Sequence, residues 1–360
     1  MTGDPTAGPA GAPSGPAASP GSQMRREIAE QPARWQDLLT DGGRQLRDTR
    51  ARIRNRPPRL VLFVARGTSD HAALYASYLV QTGLGVPAAS ASPSVVTLYE
   101  TAPDLRDVLV VAVSQSGESP DLVSFVEMAR TRGATTLTLT NVTGSALAAI
   151  SDEVVDVRAG HEGAVAATKS YTGELMALAA LFAADDVAAL LPALPELGEQ
   201  VLRNSAEHVA ELASRYRYAT RVMTAARGYS SASAREAALK LVETSYVSAH
   251  GMSSADLLHG PVALLDQSVP LLCFTGAGPD QAEMQALVAL AGERGVDVDV
   301  IGDGTVAGRT LPAVVPRGVA PELRPVLEIL PAQLLAGEIA VARGFDPDAP
   351  RGLRKVTRTY

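Results

Sequence analysis

Three serines and a glutamine follow an apolar run within residues 110–122, VVAVSQSGESPDL. Ser119 fits the N-cap of a helix, with Pro120 at the first helical position and Asp121 in the first turn. A cap leaves four small or polar residues unexplained, namely Ser114, Gln115, Ser116 and Gly117. A strand that enters a helix through small residues directs backbone N–H groups and the helix dipole at one point. The segment therefore predicts either a plain capped turn or a phosphate site. Because no Gly-Lys-Ser/Thr follows, a phosphorylated small molecule is favoured over a nucleotide.

A second candidate is the charged row in residues 233–246, SAREAALKLVETSY. On a helix, Glu236, Lys240 and Glu243 fall within an arc of about 60°. A salt-bridge ladder facing solvent would have the same spacing. The alanine, leucine and valine around the row indicate instead a largely buried helix, where such charges are costly unless they have a function. A carboxylate beside a lysine in a partly dry pocket could transfer a proton.

Two further candidates lie in loops. His259 is in a turn fixed by a Gly-Pro pair, where a histidine is usually a surface residue, although it could exchange a proton near neutral pH. No spacing of His, Asp and Glu suggests a metal site, so no metal or other cofactor is expected. The last segment, residues 345–360, has no helical period and reads either as disordered or as a tail that closes over a pocket and delivers Lys355.

From Arg59 onward, apolar β-rich runs alternate with helical patterns, which predicts parallel sheets covered by helices on both faces. The predicted strands are RLVLFVA, VLVVAVS, TTLTLTN, VVDVRA, RVMTAARG, VPLLCFT, VDVDVIG and LPAVV. The predicted helices cover about 70–84, 120–132, 166–186, 197–215, 233–246, 280–294 and 321–343. The pattern runs twice, over roughly 45–192 and 200–345, and indicates a weak internal duplication.

Ligands of open parallel sheets bind beyond the carboxyl ends of the strands. In the first unit three such ends carry small polar residues: ARGTSDH with Gly67, Thr68 and Ser69, the serine cluster, and the segment HEGAVAATKSY after VVDVRAG. Convergence of these ends on one ligand favours the phosphate site over the plain turn. The second unit has no serine cluster after VPLLCFT, so one phosphate site per chain is expected.

The composition limits the class of protein. A chain of 360 residues with 46% hydrophobic residues can form two ordinary domains. The balance of 32 basic to 39 acidic residues, with no basic run, argues against nucleic acid as a partner. The single cysteine, Cys273, lies in an apolar run and fits a reducing cytoplasm. The β-rich runs are too short to span a membrane, so neither a membrane partner nor a membrane location is expected.

Taken together, the motifs resemble the sugar isomerase (SIS) family, in particular the isomerase half of glucosamine-6-phosphate synthase. The resemblance covers nearly everything after Met24. Its motifs here are MRREIAEQP, RGTSDHA, SQSGES, TNVTGSALAAISD, VAATKS, EAALKLVETSY, LLHGPVALLD and PRGLRKVT. It implies an α/β fold of two tandem SIS units, each a doubly wound, flavodoxin-like parallel sheet flanked by helices.

The resemblance also implies how a sugar phosphate would be held. The phosphate-binding residues would be Ser69, Ser114, Gln115, Ser116 and Ser119, with Gly67 and Thr68 at the same edge. Val165 and Ala167 would line the sugar site. We therefore expect a phosphorylated sugar as the small-molecule partner.

The same resemblance implies catalytic roles. Glu243 would be the base that moves a proton between C1 and C2, with Glu236 and Lys240 as its neighbours in the relay. His259 would assist ring opening and would reach in from a second subunit, which implies a homodimer with a shared active site. Lys355 would engage the open-chain carbonyl.

The sequence departs from the synthase at its N terminus, where a Pro/Gly-rich segment stands in place of a glutaminase domain with its cysteine nucleophile. Several motifs look closer to the SIS-type glucosamine-6-phosphate deaminases. The expected reaction is the glutamine-independent conversion of glucosamine 6-phosphate to fructose 6-phosphate and ammonia. The alternatives are a deglycase or isomerase of another phosphosugar, of the galactosamine or fructosamine type, and a non-catalytic sugar-phosphate sensor.

The expected organisation has four parts. Residues 1–23 are a disordered Pro/Gly/Ala tail, and 24–192 are the first SIS domain with an N-terminal helical segment. Residues 193–345 are the second SIS domain, and 346–360 are the tail that closes over the site.

Overall fold

The computed structural model describes residues 19–306, 309–310 and 314–355. Most of the N-terminal tail predicted to be disordered, residues 1–18, lies outside this description. Its last part was assigned wrongly, because Ser22 and Gln23 already belong to the first helix. The helix can begin there because Asp348 accepts hydrogen bonds from the backbone N–H groups of Gln23 and Met24 at 2.9 and 2.7 Å.

Two parallel sheets organise the described residues. The strands of the first sheet are β1 (Leu60–Val64), β2 (Ala88–Ser90), β3 (Val108–Val113), β4 (Thr135–Thr140) and β5 (Glu153–Asp156). The strands of the second are β6 (Arg221–Ala226), β7 (Ser248–Ser253), β8 (Leu271–Phe274), β9 (Val298–Ile301) and β10 (Arg309–Thr310).

The two sheets have the same strand order. The first runs β2-β1-β3-β4-β5 and the second, read in the same direction, runs β7-β6-β8-β9-β10. Every strand pair in both sheets is parallel. The prediction of two doubly wound, flavodoxin-like α/β units is confirmed, and the repeated order supports the internal duplication.

Helices precede, connect and cover the sheets. Those of the first half are α1 (Ser22–Ala29), α2 (Gln31–Thr40), α3 (Gly43–Asn55), α4 (Thr68–Leu79), α5 (Ser94–Thr97), α6 (Pro120–Thr131), α7 (Ala146–Ile150), α8 (Lys169–Phe182) and α9 (Asp185–Ala188). Those of the second are α10 (Leu194–Tyr216), α11 (Ser231–Ser245), α12 (Ser254–Leu258), α13 (Gln281–Glu293) and α14 (Arg324–Ala342). A π-helical turn, Val80–Leu84, extends α4, and short 3₁₀ turns lie at Leu191–Ala193, Gly228–Ser230 and Pro261–Leu264. The boundary predicted between residues 192 and 193 lies within the first of these 3₁₀ turns, and the domain limits stay a prediction.

The strongest sequence signals produced the predicted elements. All six residues of β3 are buried, as expected of a parallel strand covered on both faces. The helix after it begins at Pro120 with Ser119 in an extended conformation at the N-cap. Both features are set locally, by apolar β-branched residues and by the fixed φ of proline.

The weak signals produced errors. The edge strands β2 and β7 were missed because each is rich in Ala, Ser or Gly and lacks an apolar run. LPAVV was predicted as a strand, but residues 311–313 lie outside the description and Val314 and Val315 are not in a strand. The last strand lies just before it, at β10. The predicted helices 166–186 and 321–343 are shorter, as α8 and α14.

The hydrophobic core joins the two halves. One buried cluster includes Phe63 and Tyr171 of the first half together with Leu241 and Leu327 of the second. Helix α14 packs against α10 and α11. Its length and composition alone would also suit a membrane span. However, 72% of its most apolar stretch is buried inside the protein, as in a core helix.

Candidate active site

A cavity of about 340 Å³ opens at the carboxyl edge of the first sheet. The predicted residues that line it are Gly67, Thr68, Ser69, Ser114, Gln115, Ser116, Ser119, Val165, Ala167, Glu243 and Lys355. Lining residues that the sequence reasoning missed are Arg66, Val113, Leu122, Ser170, Leu353 and Arg354. The structure therefore brings together the ends of two strands, the segment before α8, one residue of α11 and the C-terminal segment.

The loop after β3 has the shape that an anion site requires. Gly117 has a φ of 66°, and a Cβ at this position would collide with Ser145. Ser114 Oγ accepts a hydrogen bond from Gly117 N at 3.1 Å, which closes the loop. Ser119 is at the N-cap of α6 but its side chain makes no capping hydrogen bond, so its hydroxyl is left for a ligand. The plain capped turn does not account for this arrangement.

The turn after β1 connects the cavity to the charged row. Gly67 has a φ of 54° and a ψ of −129°, a conformation that favours glycine. The Thr68 hydroxyl donates to Glu236 Oε1 and accepts from Lys240 Nζ, both at 3.1 Å. Arg66, at the mouth, forms an ion pair with the buried carboxylate of Asp121 at 2.7 Å.

The charged row on α11 is buried, as the apolar residues around it predicted. Lys240 Nζ lies 3.3 Å from Glu236 Oε1 and 2.5 Å from Glu243 Oε2. Burial alone would lower the pKa of Lys240, but the two carboxylates raise it above its usual value. Lys240 is therefore a fixed cation. Only Glu243 of the three reaches the cavity, with 23% of its side chain exposed.

One member of this network was missed in the sequence. His71 Nδ1 lies 2.7 Å from Glu236 Oε2, on the side opposite to Lys240. The histidine was present in the RGTSDHA motif, three residues after Thr68, so the helical spacing could have placed it on the same face of α4.

The C-terminal segment reaches the cavity, as the closing tail predicted for 346–360 requires, although residues 356–360 lie outside the description. Lys355 Nζ donates to Glu162 Oε2 at 2.6 Å and to Ala164 O at 2.8 Å. Burial raises the pKa of Glu162. The opposing effect is larger: it comes from the charge and hydrogen bond of Lys355 and from the backbone N–H groups of Ser170 and Thr168. The pKa of Glu162 is therefore below its usual value. Glu162 is thus a buried anion that fixes the lysine at the cavity wall.

The N-terminal helix supports both the tail and the segment before α8. Asp348 caps the first turn of α1, and the Glu27 carboxylate accepts from Gly163 N at 2.7 Å. Because the first contact fixes the tail and the second fixes the segment that bears Val165 and Ala167, α1 positions two walls of the cavity at once.

His259 lies elsewhere. It follows α12 directly, is exposed, and does not line the cavity of its own chain. Its expected entry from a second subunit therefore stays a prediction.

The side chains at the cavity suit an anion. Hydroxyls, the N-terminal end of α6 and three cations, Arg66, Arg354 and Lys355, are donors, and Glu243 is the acidic residue in the lining. Within 19–306 and 314–355, no group of three or more His, Cys, Asp or Glu side chains is placed to hold a metal ion.

The carboxyl edge of the second sheet is related in sequence to that of the first, but it carries an arginine. The segment Ala226-Arg227-Gly228-Tyr229-Ser230 at the end of β6 corresponds to Ala65-Arg66-Gly67-Thr68-Ser69 after β1, and Gly228 also has a positive φ of 62°. Arg227 pairs with Glu283 near the start of α13, as Arg66 pairs with Asp121 near the start of α6. After β8, however, the Arg324 guanidinium donates to Ala277 O at 2.7 Å and pairs with Asp280 at 3.3 Å.

Comparisons with known proteins identify the family of the chain. The family model of the SIS domain matches residues 56–184 and 216–307. Over 349 residues the chain is 35% identical to glutamine–fructose-6-phosphate aminotransferase (isomerizing) of Thermococcus kodakarensis, which covers 92% of this chain and 57% of the relative. The chain thus spans little more than half the length of the curated relatives that it matches.

Solved structures show the same fold. A protein of Silicibacter pomeroyi, provisionally described as a phosphosugar isomerase, superposes with a TM-score of 0.82 at 35% identity, covering 90% of this chain and 99% of its own. The C-terminal domain of glucosamine-fructose-6-phosphate aminotransferase from Francisella tularensis superposes with a TM-score of 0.80 at 24% identity, covering 93% and 99%. The chain belongs to the SIS domain family, carries one SIS region in each half, and is homologous to the isomerase part of the aminotransferase.

Proposed function

We propose that the protein is a phosphosugar aldose–ketose isomerase that also deaminates its substrate, converting glucosamine 6-phosphate to fructose 6-phosphate and ammonia. The observation that carries the proposal is that Glu243, beside the buried Lys240, lies in the same cavity as the hydroxyls after β1 and β3. The 35% identity to glutamine–fructose-6-phosphate aminotransferase of Thermococcus kodakarensis supports a sugar 6-phosphate as ligand.

The phosphate would bind at the first sheet's edge. Ser114, Gln115, Ser116 and Ser119 line the cavity next to the N-terminal end of α6, and the side chain of Ser119 makes no capping hydrogen bond. Anchoring a substrate by a remote phosphate holds C1 and C2 in place and so lowers the entropic part of the barrier.

Glu243 would then carry out the isomerisation. Its carboxylate takes the proton from C2 of the open-chain aldose, the electron pair forms a C1=C2 double bond, and the carbonyl oxygen at C1 takes up a proton, which gives an enol. Returning the first proton to C1, with loss of a proton from the amine, leaves an imine at C2, and addition of water there releases ammonia and forms the C2 carbonyl. Lys240 stabilises the carboxylate and the charge that develops near it. General acid–base steps of this kind each contribute about 100 to 10,000-fold.

The remaining residues would prepare the substrate. Lys355, held at the wall by Glu162, is placed to engage the open-chain carbonyl. His259 would assist ring opening from the second subunit of a cytoplasmic homodimer.

Ammonia release and fructose 6-phosphate formation from glucosamine 6-phosphate test the proposal, with wild type and Glu243→Gln compared. We expect turnover by the wild type and a loss of about 100-fold or more in kcat for the variant, with phosphosugar binding retained. The amide of the variant keeps the shape of the side chain but cannot accept the proton.

A panel of other phosphosugars separates the alternatives. Turnover confined to a galactosamine or fructosamine phosphate would contradict the choice of substrate. Binding of phosphosugars, seen as thermal stabilisation, without turnover of any of them would contradict the enzymatic function and favour a sensor.

A further inference from the structure

A buried carboxyl that the proposed reaction does not use lies directly behind the predicted phosphate site. Ser69 Oγ is 2.9 Å from Glu174 Oε1, and Glu174 is fully buried on α8. Within the part of the chain that the structure describes, the other oxygen of Glu174 has no hydrogen-bond partner. A buried carboxylate in such a position would be costly unless a cation or several donors faced it.

Among the described residues, no cation forms an ion pair with Glu174. The charges that act on it, from the segment before α8 and from α11, are those of Glu162 and Glu236, and both are negative. Six cations of the surrounding elements have other acceptors: Lys240 pairs with Glu236 and Glu243, Lys355 with Glu162, Lys169 with Glu30 between α1 and α2, Arg50 of α3 with Asp185, and Arg324 of α14 with Asp280, while Arg54 of α3 donates to Ala183 O. Burial raises the pKa of Glu174 well above its ordinary value, and the two neighbouring carboxylates raise it further, against a smaller opposing effect of Ser69.

The remaining ionisable groups that face this region do not change the conclusion. They include Tyr75 of α4, Tyr171 of α8 itself and Glu328 of α14. His71 of α4 lies 2.7 Å from Glu236 Oε2, so its ring is held by a different carboxylate. Burial raises the pKa of both tyrosines well above the ordinary value and that of Glu328 to about 7. None of the three supplies a positive charge at any pH.

The protonation of Glu174 decides what Ser69 can offer to a phosphate. A serine hydroxyl has one proton to donate. If Glu174 is ionised, Ser69 must give that proton to the carboxylate, and only lone pairs remain for the ligand. If Glu174 is a carboxylic acid, it donates to Ser69 Oγ, and the serine proton is free.

We propose that Glu174 is a carboxylic acid in the folded protein and acts as a positioning residue, donating to Ser69 so that the Ser69 hydroxyl donates to the substrate phosphate. The inference rests on the phosphate site proposed above. It defines the pH range of that site: affinity for the phosphate falls as pH rises and Glu174 ionises.

The second half of the chain provides a matched control. Glu328 on α14 is also fully buried. Burial raises its pKa, and Ser230, the counterpart of Ser69 after β6, lowers it by a smaller amount. Because Glu328 does not line the cavity at the first edge, Glu328→Gln changes a similar buried carboxyl without touching the proposed phosphate site.

The experiment measures the affinity of fructose 6-phosphate by calorimetry from neutral to alkaline pH, where the phosphate is already dianionic. The proteins are wild type, Glu174→Gln, Ser69→Ala and Glu328→Gln. Wild type and Glu328→Gln should lose about tenfold in affinity on the alkaline side, the value of one hydrogen bond to a charged group. Glu174→Gln should keep the neutral-pH affinity at all pH values because its amide always donates. Ser69→Ala should be weak and independent of pH.

Two results would overturn the inference: a wild-type affinity that does not change with pH, or a tenfold loss at neutral pH in Glu174→Gln. Infrared spectroscopy gives a readout that needs no ligand. Because Glu328 can contribute a band of its own, the spectra of wild type and Glu174→Gln are subtracted: a protonated-carboxyl C=O band in the wild-type-minus-variant difference at neutral pH supports the inference, and its absence from that difference contradicts it. Failure of fructose 6-phosphate to bind wild type at any pH would instead contradict the proposed function, while the infrared band still decides the state of Glu174.

Discussion

The carboxyl edges of the two sheets have the same topology but carry different side chains. Both loops after the middle strand lead into a helix, through Ser114 to Ser119 in the first unit and through Thr275 to Asp280 in the second. The first loop ends in a serine with a free hydroxyl. The second ends in a carboxylate that accepts from Thr275 Oγ at 3.0 Å.

A single position in the last helix of each unit accounts for much of the difference. Ser170 and Arg324 each stand four residues before the buried glutamate of α8 or α14. Ser170 lines the open cavity, whereas Arg324, only 3% exposed, fills the second edge with its guanidinium. The duplicated scaffold thus provides two edges of the same topology, which differ in the volume and charge of the side chain at this position.

The largest effect is expected when the first edge receives the acidic N-cap residue of the second, which is Asp280. Ser119→Asp keeps a good N-cap, so the fold should be retained. It places a carboxylate against the substrate phosphate, and like charges in contact cost several kcal/mol. We expect KM for the phosphosugar to rise more than 100-fold, measured by initial rates. Ser119→Asn, which has the same size and no charge, should lose far less. Equal losses in both variants would show that charge is not the reason.

The next largest effect concerns what fills the second edge. Arg324→Met removes the buried cation that pairs with Asp280, whose side chain is 10% exposed, and leaves that carboxylate uncompensated. Breaking a buried ion pair in this way costs about 3–5 kcal/mol. We expect the free energy of unfolding, measured in urea, to fall by about this amount, with KM unchanged in the folded enzyme. A lost phosphosugar affinity with unaltered stability would mean that the second edge takes part in binding.

A smaller effect concerns Glu328, the buried carboxyl of the second unit, which should make the stability of the fold depend on pH. Burial raises the pKa of Glu328 to about 7, and Arg324, Ser233 and Ser230 oppose the rise only in part. An unfolded glutamate has a pKa of about 4.3. Between the two values the folded state holds a proton that the unfolded state has lost, so the free energy of unfolding decreases as pH rises, and the loss is complete above about pH 7.

Glu328→Gln removes this contribution, which is on the order of a few kcal/mol. Urea unfolding at about pH 5 and about pH 8 should therefore show a smaller decrease in the variant than in wild type. Identical decreases in the two proteins would mean that Glu328 is ionised in the fold.

Much of the site could be predicted from the sequence because its signals are local. The serine loop, the Glu236-Lys240-Glu243 row and the tail lysine each belong to a short segment, and the cavity contains Glu243 and Lys355 as expected. The helical period predicted a buried row and could not say that Glu243 alone would reach the cavity. That depends on how α11 packs against α4 and α14.

The residues that were missed are those whose function depends on distant partners. Glu162, Glu174 and Arg324 are each ordinary charged residues in their own segments. Ser69 and Glu174 are 105 positions apart, and Glu162 and Lys355 are 193 apart. One useful signal was present but not used: the repeat of ARGTS as ARGYS, which aligns the two units.

The sequence alone determined the class of fold, the doubled unit and the segment that offers hydroxyls to an anion, because periodicity, capping and turn chemistry act over a few neighbouring residues. Only the tertiary structure decided which carboxyls are buried without a cation and which edge is filled by an arginine. The reason is that the energy of a buried charge depends on what faces it across helices, and that partner comes from far along the chain.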